Sequence, residues 1–530
     1  MARPVVVIAD KLSQSTVDAL GDSVEVRWVD GTNREELLAA VPEASALLVR
    51  SATKVDREVL EAAPKLSLVG RAGVGLDNVD VDSATEFGIM VANAPTSNIR
   101  SACEQAIALT LATARNTAAA DKSVKAGEWR RSDFVGVELY EKTIGIVGLG
   151  HIGQLFAQRL RAFEVGEIIA YDPYANPARA RQLGIELTDL DDLVSRSDFI
   201  TIHLPKTAET TGMFDAELLA KSKPGQVIVN AARGGLIDEE ALAEAIESGR
   251  IRGAGVDVYE SEPPKDSPLL RLGERVTLTP HLGASTKEAQ DRAGSDVAAS
   301  VLKALNGEYV PEAVNVPGGD VSEEVSGWLD LTRKLGLAAT RLLGDVPVAL
   351  QVTARGELSS EDVSGLGSSA LRGLLADISR VPVTFVNAEM IAKERGVRVS
   401  VDTSPESTTH RSTVEVVAIA GNGDSYHIEG AITGLNRVEK IVRLEGRGID
   451  LRAEGVNLFI SYRDQAGMLG RVATLIGDHG INIENAALAK DRRGGDKAIL
   501  VVQLSEPAGD ELLERLRDRL QASALQIDLD

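Results

Sequence analysis

The stretch Thr143–Asp172, TIGIVGLGHIGQLFAQRLRAFEVGEIIAYD, decides the fold. Its opening apolar run, Ile144 to Val147, reads as a buried strand. Gly148-Leu149-Gly150-His151-Ile152-Gly153 follows as GxGxxG, and Leu155, Phe156 and Leu160 then share one face of a helix. A second strand, Glu167 to Tyr171, ends in Asp172. Strand, glycine turn, helix, strand and acid together are the context of a dinucleotide site, which a lone glycine motif is not. Gly148 serves the tight turn, Gly150 lets a pyrophosphate approach the backbone, and Gly153 lets helix and strand pack closely. The helix N-terminus offers N–H groups and the positive end of its dipole to the phosphates. A carboxylate at Asp172 suits the adenosine ribose hydroxyls and repels a 2′-phosphate, so the cofactor expected here is NAD rather than NADP.

Working outward, the 530 residues suffice for three or four domains. Aromatics are only 3%, so the cores must be built from Ala, Val, Leu and Ile. A net charge of −22 argues against nucleic acid or an anionic membrane as partner. The single cysteine, Cys103, excludes an intramolecular disulfide and points to a reducing compartment. The first residues read as a strand rather than a leader, and no apolar run reaches a membrane span, so a cytoplasmic location is expected. No His/Cys/Asp/Glu group has metal-ligand spacing.

Residues 1–98 alternate short apolar strands with helices: VVVIAD (5–10), SALLVRSAT (45–53), LSLVGRAGVGLDNVD (66–80) and GIMVANAP (88–95). Asn93 to Thr96 reads as a hinge, followed by one Ala-rich helix over 101–123. After the glycine turn come DFITIHLP (198–205), GQVIVNAARGG (225–235) and GAGVDVYE (253–260), further strands of the nucleotide unit. A helix near 285–305 is expected to return to residues 1–98. The fold class is thus α/β, with a Rossmann-type nucleotide domain (99–284) inserted in a βα substrate domain (1–98 and 285–318). Pro317-Gly318-Gly319 marks a boundary. Strand-like runs dominate 319–455, an α+β domain, and 456–530 reads βαββαβ, the ferredoxin-like split unit.

Three loops end strands with chemistry-bearing groups: Arg233 in NAARGGLID, Glu262 in YESEPP and His281 in TPHLGAST. An arginine clamps a carboxylate bidentately. A histidine moves a proton at neutral pH, and a glutamate on its other ring nitrogen orients it and favours its protonated form. The set suits hydride transfer between a nicotinamide and a 2-hydroxy or 2-oxo acid.

With GLGHIG and Asp172, these loops resemble the D-2-hydroxyacid dehydrogenase family. The VGRAGVGLDNVD loop and the long C-terminal part are similar to its extended 3-phosphoglycerate-oxidising branch. The resemblance spans essentially the whole chain. It implies NAD-linked oxidation of 3-phosphoglycerate to 3-phosphooxypyruvate, the first step of serine synthesis, catalysed by Arg233, Glu262 and His281. Some relatives also reduce 2-oxoglutarate to 2-hydroxyglutarate. Family cofactor positions fall on His151, Ile152, Asp172, Ala231, Ala232, Arg233, Asp257, His281, Leu282, Gly283 and Ala284. Arginine is frequent in the family where this chain has His151. By the same resemblance 319–455 is an intervening domain and 456–530 an ACT regulatory domain, in a homo-oligomer. The competing readings are a hydroxypyruvate or glyoxylate reductase and an NAD-sensing binding protein.

For the anionic substrate the expected contacts are Arg50, Ser51 and Arg71, the backbone N–H groups of Gly73 and Val74, and Arg131 from a neighbouring subunit. Screening over about 8 Å lets such a cluster act despite the overall charge. L-Serine, the end product of the implied pathway, is the expected inhibitor, held by Tyr462, Asp464 and Asn482 with Gly467 at the helix start. Among Arg437, Lys440, Arg443, Arg447 and Arg452, the pair Lys440 and Arg452 is a candidate second anion site, with a solvated strand face as the plain alternative.

Overall fold

The computed structural model describes residues 3–316, 321–379, 383–490 and 497–530; the proposed boundary at Pro317-Gly318-Gly319 lies outside them. The first sheet contains Val5–Ile8, Glu25–Trp28, Ala46–Val49, Leu68–Arg71 and Met90–Asn93, all parallel, in the spatial order 2-1-3-4-5. The central strands are apolar runs buried throughout, as sheets covered on both faces require.

The second sheet contains Ile144–Val147, Ile168–Tyr171, Glu186–Leu187, Phe199–Ile202, Gln226–Asn230, Ile251–Val256 and Val276–Leu278. All pairs are parallel, in the order 3-2-1-4-5-6-7. Two separate apolar clusters cover its faces. The order reverses between the first and fourth strands, which opens a crevice at their carboxyl ends. The helix Ile99–Ala114 leads into this unit, and Lys287–Leu305 returns to pack on Gln14–Leu20 and the first sheet. The two crossings touch: Arg292 Nε donates to Ser97 O at 2.8 Å, and the Ser101 and Thr286 hydroxyls lie 2.7 Å apart. The nucleotide domain is therefore inserted in the substrate domain.

One expectation fails here. The Ala-rich segment is not a single helix: Asn116, at φ +53, breaks it into Ile99–Ala114 and Thr117–Lys125. Asparagine tolerates the left-handed region better than most residues, and its neighbours' helix propensity hides the break.

The intervening region holds six strands in the order Arg398–Ser404, Pro347–Gly356, Ser412–Ala420, Ser425–Thr433, Val438–Leu444, Arg447–Arg452; the first pair is parallel, the rest antiparallel. The paired helices Leu329–Leu343 and Gly365–Leu375 complete its core. The last sheet orders Ile483–Lys490, Lys497–Leu504, Val456–Arg463 and Ser523–Asp528, antiparallel, with Met468–Asp478 and Asp510–Leu520 packed on one face. Its other face, through Phe459, Val501 and Ile527, joins the core of the intervening domain.

His203 shows what burial under the glycine turn does. Its ring lies 5.5 Å from that of Phe156, its Nε2 is 3.0 Å from Thr201 Oγ1, and burial holds its pKa down at about 4. A depressed histidine pKa means the unfolded chain binds the proton more tightly. Its contribution is thus intact above pH 6.5 and lost as pH falls towards 4, at most about 3 kcal/mol. The loss of urea resistance between pH 7 and pH 4.5 is expected to be smaller in His203→Gln than in wild type; equal losses would assign acid sensitivity elsewhere.

Candidate active site

Gly148 has φ +96, and a Cβ there would lie 2.8 Å from His203 O. A Cβ on Gly153 would lie 2.2 Å from Gly148 O, so glycine alone lets the helix His151–Leu160 start this close to the strand. A Cβ on Gly150 would meet nothing within 4 Å: the loop is open on that side. The helix begins without a side-chain cap, which leaves N-terminal donors for an anion. Asp172 Oδ2 accepts from Leu149 N–H at 2.8 Å and Oδ1 from Tyr174 N–H at 2.9 Å. The carboxylate is thereby fixed beside the glycine turn with acceptor capacity to spare. Open backbone, helix start and oriented acid fit a dinucleotide.

Across the crevice, His281 Nδ1 lies 2.8 Å from Glu262 Oε2, and Glu262 Oε1 accepts from Tyr259 N–H at 3.2 Å. His281 itself has φ +55 and donates its backbone N–H to Asp257 O at 2.8 Å. The wholly buried Asp257 accepts from the N–H groups of Leu282 and Gly283, both at 2.8 Å, and from Gln105 and Thr279. This brace explains how a non-glycine residue keeps an unfavourable backbone conformation. Asn230 does the same for NAARGG: its amide donates to Arg233 O and accepts from Ala232 N–H. Neither Asn230 nor Gln105 stands out in the sequence as a site residue; the N of NAARGG is the one available signal, and Gln105 has none.

Arg233 reaches the substrate domain, where a Cβ on Gly75 would lie 2.9 Å from its Nη2. Arg71 ends its strand with Nε enclosed and unpartnered among the described residues. Burial first, then the neighbouring Arg233 charge, push the Arg71 guanidinium below its ordinary range; Arg50 adds to this, while Asp77 and Asp10 oppose it. Like charges held together at strand ends are an arrangement that a bound anion would relieve. Arg50 and Ser51 line a cavity of about 790 Å³ at the carboxyl ends of the first sheet.

One expected contact changes, and one is not made within this chain. The Gly73 N–H donates to Arg71 O, so it is spent within its own turn. Arg131 is exposed on the turn Arg131–Phe134 and is not among the charges acting on Arg71; its neighbour Arg130 takes Asp133 and Glu274.

In the C-terminal domain Asp464 and Asn482 are exposed, but Tyr462 is 4% exposed within the domain core. Its strand position turns it towards the helices, so its ring belongs to that core and not to the exposed surface that carries Asp464 and Asn482. Lys440 and Arg452 do face each other across strands. Each already holds a carboxylate, however: Lys440 holds Asp450 at 2.8 Å and Arg452 holds Glu454 at 3.2 Å. The bare cation pair imagined from the sequence is locally neutralised. Among the described residues no cluster of His, Cys, Asp and Glu has the arrangement of a metal site.

Comparison with known proteins accords with this geometry. Residues 107–283 match the family model for the NAD binding domain of D-isomer specific 2-hydroxyacid dehydrogenase. Residues 324–445 match the D-3-phosphoglycerate dehydrogenase intervening domain, and 456–521 the ACT domain. The D-3-phosphoglycerate dehydrogenase of Mycobacterium leprae (strain TN) is 59% identical over 510 residues, 96% of each chain. That of Mycobacterium tuberculosis (strain ATCC 25618 / H37Rv) is 56% identical over 527 residues, 99% of each. Among solved structures, the NAD-dependent formate dehydrogenase of Staphylococcus aureus in complex with NAD superposes with a TM-score of 0.50 at 32% identity, over 57% of this chain and 96% of that one.

Proposed function

The chain belongs to the D-3-phosphoglycerate dehydrogenase family and is an NAD-dependent oxidoreductase, and from that premise we propose that it oxidises 3-phospho-D-glycerate to 3-phosphooxypyruvate under feedback control by L-serine. The observation that carries the chemistry is the His281–Glu262 pair at 2.8 Å, on loops that follow two neighbouring strands of the nucleotide sheet. Arg233 clamps the substrate carboxylate. Arg50, Ser51, Arg71 and the Val74 amide face the phosphoryl group, with Arg131 supplied by a second copy. His281 Nε2 takes the C2 hydroxyl proton, and the Glu262 carboxylate stabilises the imidazolium that results. The dinucleotide held at the glycine turn and Asp172 would supply the acceptor for the hydride that leaves C2. In reverse His281 returns the proton, and the same site can reduce 2-oxoglutarate, another 2-oxo acid. Among the described residues no helix is long and apolar enough to cross a membrane; we place the enzyme in the cytoplasm as a homo-oligomer.

The decisive assay follows NADH absorbance with 3-phosphoglycerate, 2-hydroxyglutarate, glycerate and glycolate. The highest kcat/KM is expected for 3-phosphoglycerate. A higher value for glycolate or glycerate would make the enzyme a reductase of the simpler branch, and no turnover of any would make it a binding protein.

Cofactor choice rests on Asp172. Losing hydrogen bonds to a charged acceptor costs about 1.5–3 kcal/mol, so Asp172→Ala should raise the KM for NAD roughly 10- to 100-fold and narrow the preference over NADP. A wild-type enzyme using both cofactors equally would contradict this role.

For serine, we assign Asp464 to the ammonium group and Asn482 to the carboxylate. Coupling between such sites is typically about 1–3 kcal/mol, or 5- to 150-fold. Asp464→Ala and Asn482→Ala should each raise the inhibitory serine concentration by factors in that range, with the rate in its absence unchanged. Initial rates against serine concentration test this, and variants inhibited as well as wild type would remove the assignment.

A further inference from the structure

A cavity of about 730 Å³ separates the end of the returning helix Lys287–Leu305 from the intervening domain. Lys303 and Asn306 line it from the substrate-domain side, and Ser326, Arg372 and Phe385 from the other. Arg372 lies on the helix Gly365–Leu375 with its guanidinium carbon 4.0 Å from the Phe385 ring centroid. Its Nε is enclosed without a partner, and among the described residues it has no carboxylate. Its one hydrogen bond, Nη2 to Gly307 O, is 3.5 Å long, too long to count as a firm cap of the helix end. Burial pushes this guanidinium down to about 10; Arg333 nearby works in the same direction, and Asp330 opposes them only in part. Lys303 likewise has no ion pair among the described residues. Neither acid of the lining is ion-paired with these cations. Asp330 is engaged by Arg333 and Lys334, both at 2.8 Å, and Glu308 is exposed and accepts from Asn306.

A desolvated cation without a counter-charge is costly, and buried charges are ordinarily paired. We propose that this inter-domain cavity is a binding site for a small phosphate-bearing anion, held between Arg372 and Lys303. The planar fork of arginine suits phosphate oxygens, the ammonium approaches from the opposite wall, and Asn306 and Ser326 add neutral donors. The volume exceeds that of a bare phosphate and admits the rest of a small phosphorylated acid. An anion there ties the end of the substrate domain's last helix to the regulatory half. The site is remote in sequence from the catalytic loops and from Lys440 and Arg452, and it does not depend on which acid the enzyme oxidises.

Hydrogen exchange of the full-length chain, followed by mass spectrometry, locates such binding directly. The probes are inorganic phosphate and, separately, 3-phosphoglycerate. Exchange in peptides covering 303–311 and 366–378 should slow as either probe saturates, about tenfold at ten times the dissociation constant for openings that release the ligand. The slowing should vanish in Arg372→Met, which keeps the aliphatic stem against Phe385, and in the more superficial Lys303→Met, and partly return in Arg372→Lys. Slowing by phosphate alone identifies the free ion as sufficient; slowing only by 3-phosphoglycerate identifies the phosphorylated acid; either supports the site. No slowing in wild type with either probe, or equal slowing in wild type and Lys303→Met, overturns it.

Discussion

Replacing His281 with alanine should lower kcat by about 10²–10⁴-fold, the usual worth of positioned acid–base help, with little change in the KM for NAD. Among the described residues the imidazole of His281 is the histidine ring that this part of the structure sets against a carboxylate through its second nitrogen. Glu262 engages Nδ1, which leaves Nε2 for the substrate hydroxyl, and its charge stabilises the imidazolium formed as the proton moves. The effect should fall on kcat because the proton is in transit only in the transition state. Glu262→Gln keeps a hydrogen-bonding group at the same place but removes the charge, so its loss should be smaller than that of His281→Ala. The fold should persist in both, since Asp257 braces this loop through backbone groups that neither change touches. Steady-state kinetics across pH, with thermal melts as a control, measure this. A His281→Ala enzyme within a few fold of wild-type kcat would move the proton transfer elsewhere.

What could be read from the sequence divides along a physical line. The glycine turn and Asp172 are local in the chain, and one strand–turn–helix–strand unit brings them together. Arg233, Glu262 and His281 are distant in sequence, yet they were legible because a parallel sheet gathers the carboxyl ends of its strands at one edge. The supports were not legible. Gln105 comes from the incoming helix to reach Asp257, a contact that exists only once that helix packs on the nucleotide sheet. The helix Gly365–Leu375, GLGSSALRGLL, is poor by propensity. It forms because its glycines admit a neighbour: a Cβ on Gly373 would lie 2.0 Å from Arg333 O. The burial of Tyr462 was legible in the alternation of its strand. Strand Val456–Arg463 alternates, so Tyr462 shares a face with Leu458 and Ile460, which pack on the helices, while Phe459 turns the other way. Lys440 and Arg452 meet across the sheet, a like-charge pairing that is unfavourable by itself, but the register also brings in Asp450, and Glu454 follows in sequence.

Arg233→Ala should damage binding and turnover together, because the clamp on the carboxylate is made in both the ground and the transition state. Truncating one partner of a desolvated, hydrogen-bonded charge pair costs about 2–5 kcal/mol, or roughly 30- to 4,000-fold in kcat/KM. Part of that should appear as a higher KM for substrate, and part as a lower kcat, since the carboxylate anchors C2 against the cofactor. Lysine restores the charge but not the planar fork, so Arg233→Lys should recover KM more than kcat. Stability should move the other way. Arg233 depresses the Arg71 guanidinium from across the cleft, so removing it relieves a like-charge contact in the empty enzyme. The melting temperature of Arg233→Ala without ligand should therefore equal or exceed that of wild type, and substrate should raise it less. This pairing of lost activity with retained or gained stability is what an anion trap requires. A variant that loses stability in step with activity would make Arg233 a structural residue of the NAARGG turn, with the carboxylate held by other groups.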